Sequence, residues 1–179
     1  MTYLFFYGHS KNKPYKEFSN FYLVDFYAIS FSSGKVNEYF SSEQYLMSEK
    51  ALLFGDSEMY EKIMKTKSPS QAKKYGRQVS GFNEKIWNEK KEKIMTRGLF
   101  YKFSSDEELY NLLTKTKNNI LVEASPFDKV WGIGLSITNN DIHDPKKWKG
   151  KNLLGKCLMN VRKIYMKYSY ETFMKKYYE

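Results

Sequence analysis

The sequence contains one cysteine, two histidines, four prolines and only three arginines in 179 residues. The single Cys157 cannot form an internal disulfide. The start, MTYLFFYGHSKNK, has no basic segment leading into an apolar one, so no secretory signal is read there and a reducing cytoplasm is the expected compartment. His9 and His143 stand far apart, and neither lies at zinc-ligand spacing from Cys157; no metal and no cofactor are expected. No apolar run approaches the ~20 residues of a membrane span, so no membrane partner is expected. There is no internal repeat, no low-complexity stretch and no Pro/Gly/Ser-rich linker. The expectation is one domain over residues 1–170, with 171–179 as a terminal helix or tail. GxGxxG and GxxxxGK[ST] are both missing, as is a βαβα alternation, which excludes a dinucleotide or P-loop fold.

Apolar residues make up 41%, charged 28% and aromatic 18%, the balance of a globular chain. A chain of this length buries about 70% of its unfolded surface in one core. The formal net charge is +10, with 30 basic residues against 20 acidic ones. Nearly all the basic residues are lysines, clustered mildly at Lys90-Lys91, Lys146 to Lys151 and Lys175-Lys176. AT-rich coding bias explains such a composition as well as a polyanionic partner does. In either case the field draws phosphates toward the surface.

Tyr3 to Tyr7 and Phe21 to Phe31 read as strands, and Ile120 to Ala124 as a short one. Ser41 and Gln44 have capping-box spacing for a helix through about Phe54. Ser57 is placed to cap a short helix. Ser68-Pro69-Ser70-Gln71 is a helix start, with Gly76 as its stop. Asn83 opens a long helix with Trp87, Ile94, Met95 and Phe103 on its buried side. Ser105 and Glu108 suggest another capping box. Leu153, Leu154, Cys157, Leu158, Val161, Tyr165 and Tyr168 fall at helical spacing. The expected fold class is mainly α with a small N-terminal β element, α+β.

Several residues are candidates for chemistry, each with a plainer reading. Glu43, in SSEQY, also suits an acidic first-turn residue facing the helix dipole. Asp128, in SPFDKVWGIG, also suits a turn. Glu123 lies inside a strand pattern. Trp131 offers a face for a base or sugar, and Gly132 and Gly134 permit close backbone approach to a ligand. Arg77, Arg162 and Asn152, the last at a helix start with free N–H groups, are candidate phosphate contacts; each also suits a surface charge or cap. Aromatic residues interleaved with lysine in the first forty positions suit base stacking or a core.

Taken in order, these segments resemble the YbiA-like, or NADAR, family. The resemblance runs from about Phe6 to Ile164 through EFSNF (17–21), SSEQYLMSEKA (41–51), SPSQAKKYGR (68–77), the GLFYKF stretch (98–103), LVEASPFDKVWGIGLS (121–136) and DIHDPKKWKGKNLLGKCLMNVR (141–162). It implies a compact, mainly helical single domain and metal-independent N-glycosidase chemistry on a ribosylated base. The two implied substrate classes are ADP-ribosylated guanine, free or within DNA or RNA, and ribosylamino intermediates of riboflavin biosynthesis. It places the catalytic positions on Glu43, Lys50 and Asp128, with Lys50 able to form a Schiff base with the freed ribose aldehyde. The substrate contacts fall on Asn20, Phe21, Arg77, Trp131, Gly132, Asn152 and Arg162. Where the family often has histidine after the glutamate, this chain has Gln44. The chemistry suits such residues: a carboxylate stabilises an oxocarbenium-like ribose, activates water or protonates the leaving base. Glu43 and Lys50 lie two helical turns apart, so one helix face can carry both about 10 Å from each other. The charge and the Asp141 to Trp148 segment favour the ADP-ribosyl substrate. A non-catalytic ADP-ribose reader and a purely electrostatic nucleic-acid binder are the alternatives.

Overall fold

The computed structural model describes residues 2–178. The elements run β1 (Tyr3–Phe6), β2 (Phe26–Ile29), β3 (Val36–Tyr39), α1 (Ser42–Leu53), α2 (Ser57–Lys65), α3 (Pro69–Gly76), α4 (Glu84–Ser104), α5 (Glu107–Thr114), β4 (Ile120–Glu123), α6 (Leu153–Tyr165) and α7 (Tyr170–Tyr178). Short 3-10 turns occupy Lys16–Phe18 and Pro145–Lys147. The fold is thus mainly helical with a small β part, as expected. It divides into two compact units, residues 2–19 with 106–178, and residues 20–105.

In the first unit, β1 pairs in parallel with β4, Tyr3 opposite Ile120 and Phe6 opposite Glu123. Val122, Ala124, Ile133, Leu135 and Ile142 form a buried cluster under this ribbon, with Tyr3, Phe5, Tyr7 and Trp148 packed against it. The face of α6 that the 3.6-residue spacing predicts is buried from Leu153 to Tyr165, whereas Tyr168, expected on the same face, lies past the end of the helix and is half-buried. A Cβ on Gly155 would collide with the Leu121 carbonyl oxygen, so only glycine lets α6 come this close to β4. Tyr110 of α5 stacks on Tyr165 at 4.4 Å between ring centroids, and its hydroxyl donates to the carbonyls of Tyr165 and Tyr168. Burial pushes the Tyr110 phenol up to about 12.

In the second unit, β2 and β3 form an antiparallel hairpin, and α1 packs against α2, α3, α4 and β3. Ser41, Ser68 and Asn83 cap α1, α3 and α4 with their side chains, at the positions read from the sequence. A Cβ on Gly98 would sit 2.5 Å from the Tyr45 ring, so this glycine seats α4 against α1. A Cβ on Gly76 would strike Met47, which ties the end of α3 to the same helix.

Several expectations are corrected. The strand expected over Phe21 to Phe31 is confined to Phe26–Ile29, and β3 is an addition whose sequence, VNEY, is too polar to announce a strand. Asp56, not Ser57, caps α2, and Asp106, not Ser105, caps α5. The Ser105 hydroxyl instead donates back to the Lys102 carbonyl at the end of α4. Trp87 is half-buried rather than buried. The terminal helix is present as α7; Glu179, which the sequence reading includes in it, lies outside the described residues.

Candidate functional site

Helix α1 is the unusual element. Every residue from Ser41 to Glu49 is buried, although five of them after the cap are Ser42, Glu43, Gln44, Ser48 and Glu49. Burying polar groups costs about 1–3 kcal/mol each unless a partner is found. Gln44 is satisfied: its side-chain oxygen accepts from the Phe40 N–H at 2.8 Å, and its amide donates to the carbonyls of Ile63 and Thr66 at 3.0 and 2.9 Å. It therefore fastens the start of α1 to the exhausted C-terminal end of α2, where the helix leaves carbonyls unpaired. The position at which the family often has histidine is structural here.

Glu43 is 3% exposed and stands in the first turn of α1, its N–H donating to the Asn20 carbonyl at 3.0 Å. That bond brings the EFSNF segment against the helix start. Asn20 Oδ1 and Ser42 Oγ are buried and have no hydrogen-bond partner among the described residues. Unsatisfied buried polar atoms are few in native proteins and mark places where a ligand or water completes the bonding. Phe21 is half-buried, with the Lys73 ammonium 5.5 Å from its ring.

Lys50 lies on the last turn of α1. Its Nζ donates to the Gly76 carbonyl at 2.7 Å and rests 4.2 Å from the Phe82 ring and 5.8 Å from the Trp87 ring. Desolvation in this aromatic surround holds its pKa below the ordinary lysine value. Arg77 follows Gly76 directly and is exposed. Asn20, Phe21, Glu43, Lys50 and Arg77 therefore all belong to the second unit, distributed along α1 and the segments packed on it.

The other candidates belong to the first unit. Asp128 Oδ1 accepts from the N–H groups of Val130 and Trp131 at 2.8 and 2.7 Å, the geometry of a turn-building aspartate. Trp131 is half-buried. Gly132 is hemmed in by the protein itself: a Cβ there would lie 2.9 Å from Ser125 Cβ and 3.0 Å from the carbonyl oxygens of Glu123 and Asp128. Its smallness serves the fold rather than an approaching ligand. Gly134 is likewise backed by Lys149 and Lys129, and its φ of +68° suits glycine.

Asn152 also has a different task from the one expected. Its Oδ1 accepts from the Glu123 N–H at 3.0 Å and its Nδ2 donates to the Leu121 carbonyl at 2.9 Å, so the side chain stitches α6 to β4. The helix N-terminus is not open to an anion. The N–H groups of Asn152, Leu153 and Leu154 donate to the carbonyls of Gly132, Val130 and Trp131. Arg162 is buried, and its Nη1 donates to Thr116 Oγ1 at 2.7 Å. It lies about 15 Å along α6 from Asn152 at the usual helical rise. Burial lowers its pKa. Asp128, Trp131, Gly132 and Asn152 are thus brought together in one knot of loops, and Arg162 stands apart from it.

Two fully buried charges escaped the sequence reading. Glu49 is fully buried; its Oε2 accepts from the Ser32 N–H at 2.9 Å, and its Oε1 has no hydrogen-bond partner among the described residues. Burial, and then the charge of Glu49, push the phenols of Tyr39 and Tyr45 well above their ordinary value. Lys102 is also fully buried, its Nζ 5.5 Å from the Tyr22 ring and 5.2 Å from that of Phe103. The signal for Lys102 was available: it falls on the same stripe of α4 as Ile94, Met95, Leu99 and Phe103. Among the described residues, no three His, Cys, Asp or Glu side chains converge as a metal site would require.

Comparison with known proteins agrees with the fold and the motifs. The profile of the NADAR domain matches residues 5–165. The chain is 44% identical over 161 residues to N-glycosidase R617 of Acanthamoeba polyphaga mimivirus, covering 89% of this chain and 94% of that protein. It is 35% identical over 122 residues to N-glycosidase YbiA of Escherichia coli (strain K12), 68% of each chain. The NMR structure of the E. coli protein YbiA superposes with a TM-score of 0.68 at 30% identity, covering 100% of this chain and 90% of that one.

Proposed function

We propose that this chain, which belongs to the NADAR domain family, is an N-glycosidase that hydrolyses the bond between ribose or ADP-ribose and a guanine-like base. The observation that carries this reading is Glu43, a carboxyl 3% exposed at the head of a buried helix and tied through its backbone to Asn20. The unsatisfied Asn20 Oδ1 and Ser42 Oγ supply hydrogen-bonding capacity for a polar substrate on the neighbouring residues. The names of the mimiviral and bacterial relatives support the same reaction type.

Rupture of an N-glycosidic bond places positive charge on the ribose ring. A carboxylate in a water-poor site is worth most where that charge develops. In the proposed step, the C1′–N bond breaks with its electron pair going to the base. Water adds its oxygen to C1′, and its proton passes by way of Glu43 to the leaving base. The net reaction is hydrolysis and balances without a redox partner.

Lys50 deepens the assignment. A depressed pKa makes its neutral amine more accessible at a given pH, and such an amine condenses with the aldehyde form of the freed ribose, releasing water. Hydrolysis of that imine returns the amine. Phe21 is the proposed aromatic face for the base, and the exposed Arg77 the proposed phosphate contact. Asp128, Gly132 and Asn152 are assigned to building loops, and Arg162 to joining α6 to the turn at Thr116. The charge of +10 favours a polyanionic or phosphate-bearing substrate over a neutral one.

The test is a glycosidase assay on chelator-treated protein with a DNA oligomer carrying ADP-ribosyl-guanine, following free ADP-ribose by mass spectrometry. Wild type is expected to release ADP-ribose. Glu43→Gln is expected to bind the oligomer and lose turnover by about 10²–10⁴-fold. Release from a ribosylamino-pyrimidine alone would transfer the substrate to the riboflavin branch. Tight binding with no release from either would sink the enzyme reading in favour of a binding module.

A further inference from the structure

Phe127 is 88% exposed, above Tyr27 at 66% and Val36 at 64%. Single exposed apolar residues are ordinary on protein surfaces; the setting of this one is not. The loop that carries it is braced from within. The Asp128 N–H donates to Ser125 Oγ at 3.2 Å, Asp128 Oδ1 receives the N–H groups of Val130 and Trp131, and the Asp128 carbonyl receives the Gly134 N–H at 3.1 Å. A ring held out by so constrained a backbone loses little further freedom when something stacks on it.

Three exposed lysines surround the base of this loop. The Lys151 N–H donates to the Lys129 carbonyl at 2.9 Å. A Cβ on Gly134 would lie 3.0 Å from Lys149 Cβ and 3.2 Å from Lys129 Cγ, so the stems of Lys129 and Lys149 flank one point. Among the described residues none of the three pairs with a carboxylate, unlike Lys62 with Glu58, Lys65 with Glu61 and Lys147 with Asp141. Asp128 is the acid within the loop, and its Oδ1 is occupied by backbone N–H groups. The patch is therefore cationic with a projecting aromatic ring, all within the first unit.

We propose that this face docks a single-stranded nucleic acid, Lys129, Lys149 and Lys151 meeting phosphates while a base stacks on Phe127. The proposal goes beyond the glycosidase reading, because the strand need not carry a modified base. Charge complementarity excludes a basic or lipid-tail partner, and the flat ring selects an unstacked base over the chain of an acidic peptide. A duplex offers no free base face.

The experiment is fluorescence anisotropy with a short unmodified oligothymidine, repeated over a salt series and against an acidic peptide of equal charge. Phe127→Ala is expected to weaken binding about 5- to 100-fold with the salt slope unchanged, and Phe127→Trp to restore it. Replacing the three lysines with alanine is expected to reduce the slope of log affinity against log salt by about 2. Equal binding by Phe127→Ala and wild type, or an unchanged slope in the triple variant, overturns the proposal. So does binding the acidic peptide as tightly as the oligomer. Because the probe carries no ADP-ribose and turnover is not measured, a failed glycosidase assay leaves this result standing, and the reverse also holds.

Discussion

The ammonium of Lys50 donates to the carbonyl oxygen of Gly76 at 2.7 Å, joining the last turn of α1 to the last turn of α3. The bond gives the C-terminal end of α3 a cation, and it holds that cation against the rings of Phe82 and Trp87. A lysine placed in this way is both anchored and partly stripped of water.

The Lys50 amine should therefore react with an acylating reagent at lower pH than the exposed lysines, with a midpoint below the ordinary 10.5. Between the folded pKa and 10.5 the unfolded chain binds more protons than the folded one, so this residue makes stability rise with pH across that window. Lys50→Met should remove that slope and abolish imine trapping by borohydride in the presence of substrate. A pH-dependent melting series on both proteins checks the sign. An unchanged slope in Lys50→Met would count against a desolvated amine.

Gln44 should prove a stability residue. Gln44→Ala removes its bonds to Phe40, Ile63 and Thr66 and leaves buried groups unpaired, a loss of about 1–3 kcal/mol in urea unfolding. Turnover per folded molecule should change little. A hundredfold loss of turnover at full stability would place Gln44 in the chemistry instead.

Asp128 separates loop building from catalysis through two substitutions. Asparagine keeps an oxygen for the N–H groups of Val130 and Trp131, whereas alanine does not. Asp128→Asn should retain most activity and stability, and Asp128→Ala should lose about 0.5–2 kcal/mol, as capping side chains do. Equal and severe loss of activity in both, without loss of stability, would restore a catalytic role.

Gly155→Ala should destabilise the fold by about 1–3 kcal/mol or more, because the new methyl group meets the backbone carbonyl of Leu121, which has no rotamer to yield. Thermal unfolding measures it. A variant as stable as wild type would mean that α6 can slide off β4 at no cost.

Much of the fold was legible because local chemistry decides it. Ser41, Ser68 and Asn83 cap the helices they precede, and the apolar stripe of α6 is the one its spacing dictates. Caps were misplaced by one residue where two cap-forming residues adjoin. At Ser105-Asp106, the aspartate takes the Leu109 N–H and the serine serves the preceding helix. The centrality of α1 was not legible, since SSEQYLMSEK has no apolar face to point inward. Its burial is imposed by the helices around it, and its polar groups are satisfied or left unsatisfied by residues distant in the chain, such as Ser32 for Glu49. Glu43 is a candidate both from its place in SSEQY and from the resemblance, whereas nothing local in the sequence points to the burial of Glu49. The turn-building roles of Asp128 and Asn152 depend on carbonyls and N–H groups whose positions no spacing rule predicts.

The parallel pairing of β1 with β4 sets a timetable for the nascent chain. Tyr3 to Phe6 has no strand to join until Ile120 to Glu123 has been made, and at about 5–20 residues per second that delay is on the order of ten seconds. Throughout it the ribosome carries an aromatic, strand-forming YLFF segment with both edges bare, while the residues between are free to fold. Tyr3 to Phe6 is thus made long before it can be secured, and newly made copies crowded on one message are prone to pair with each other through this segment.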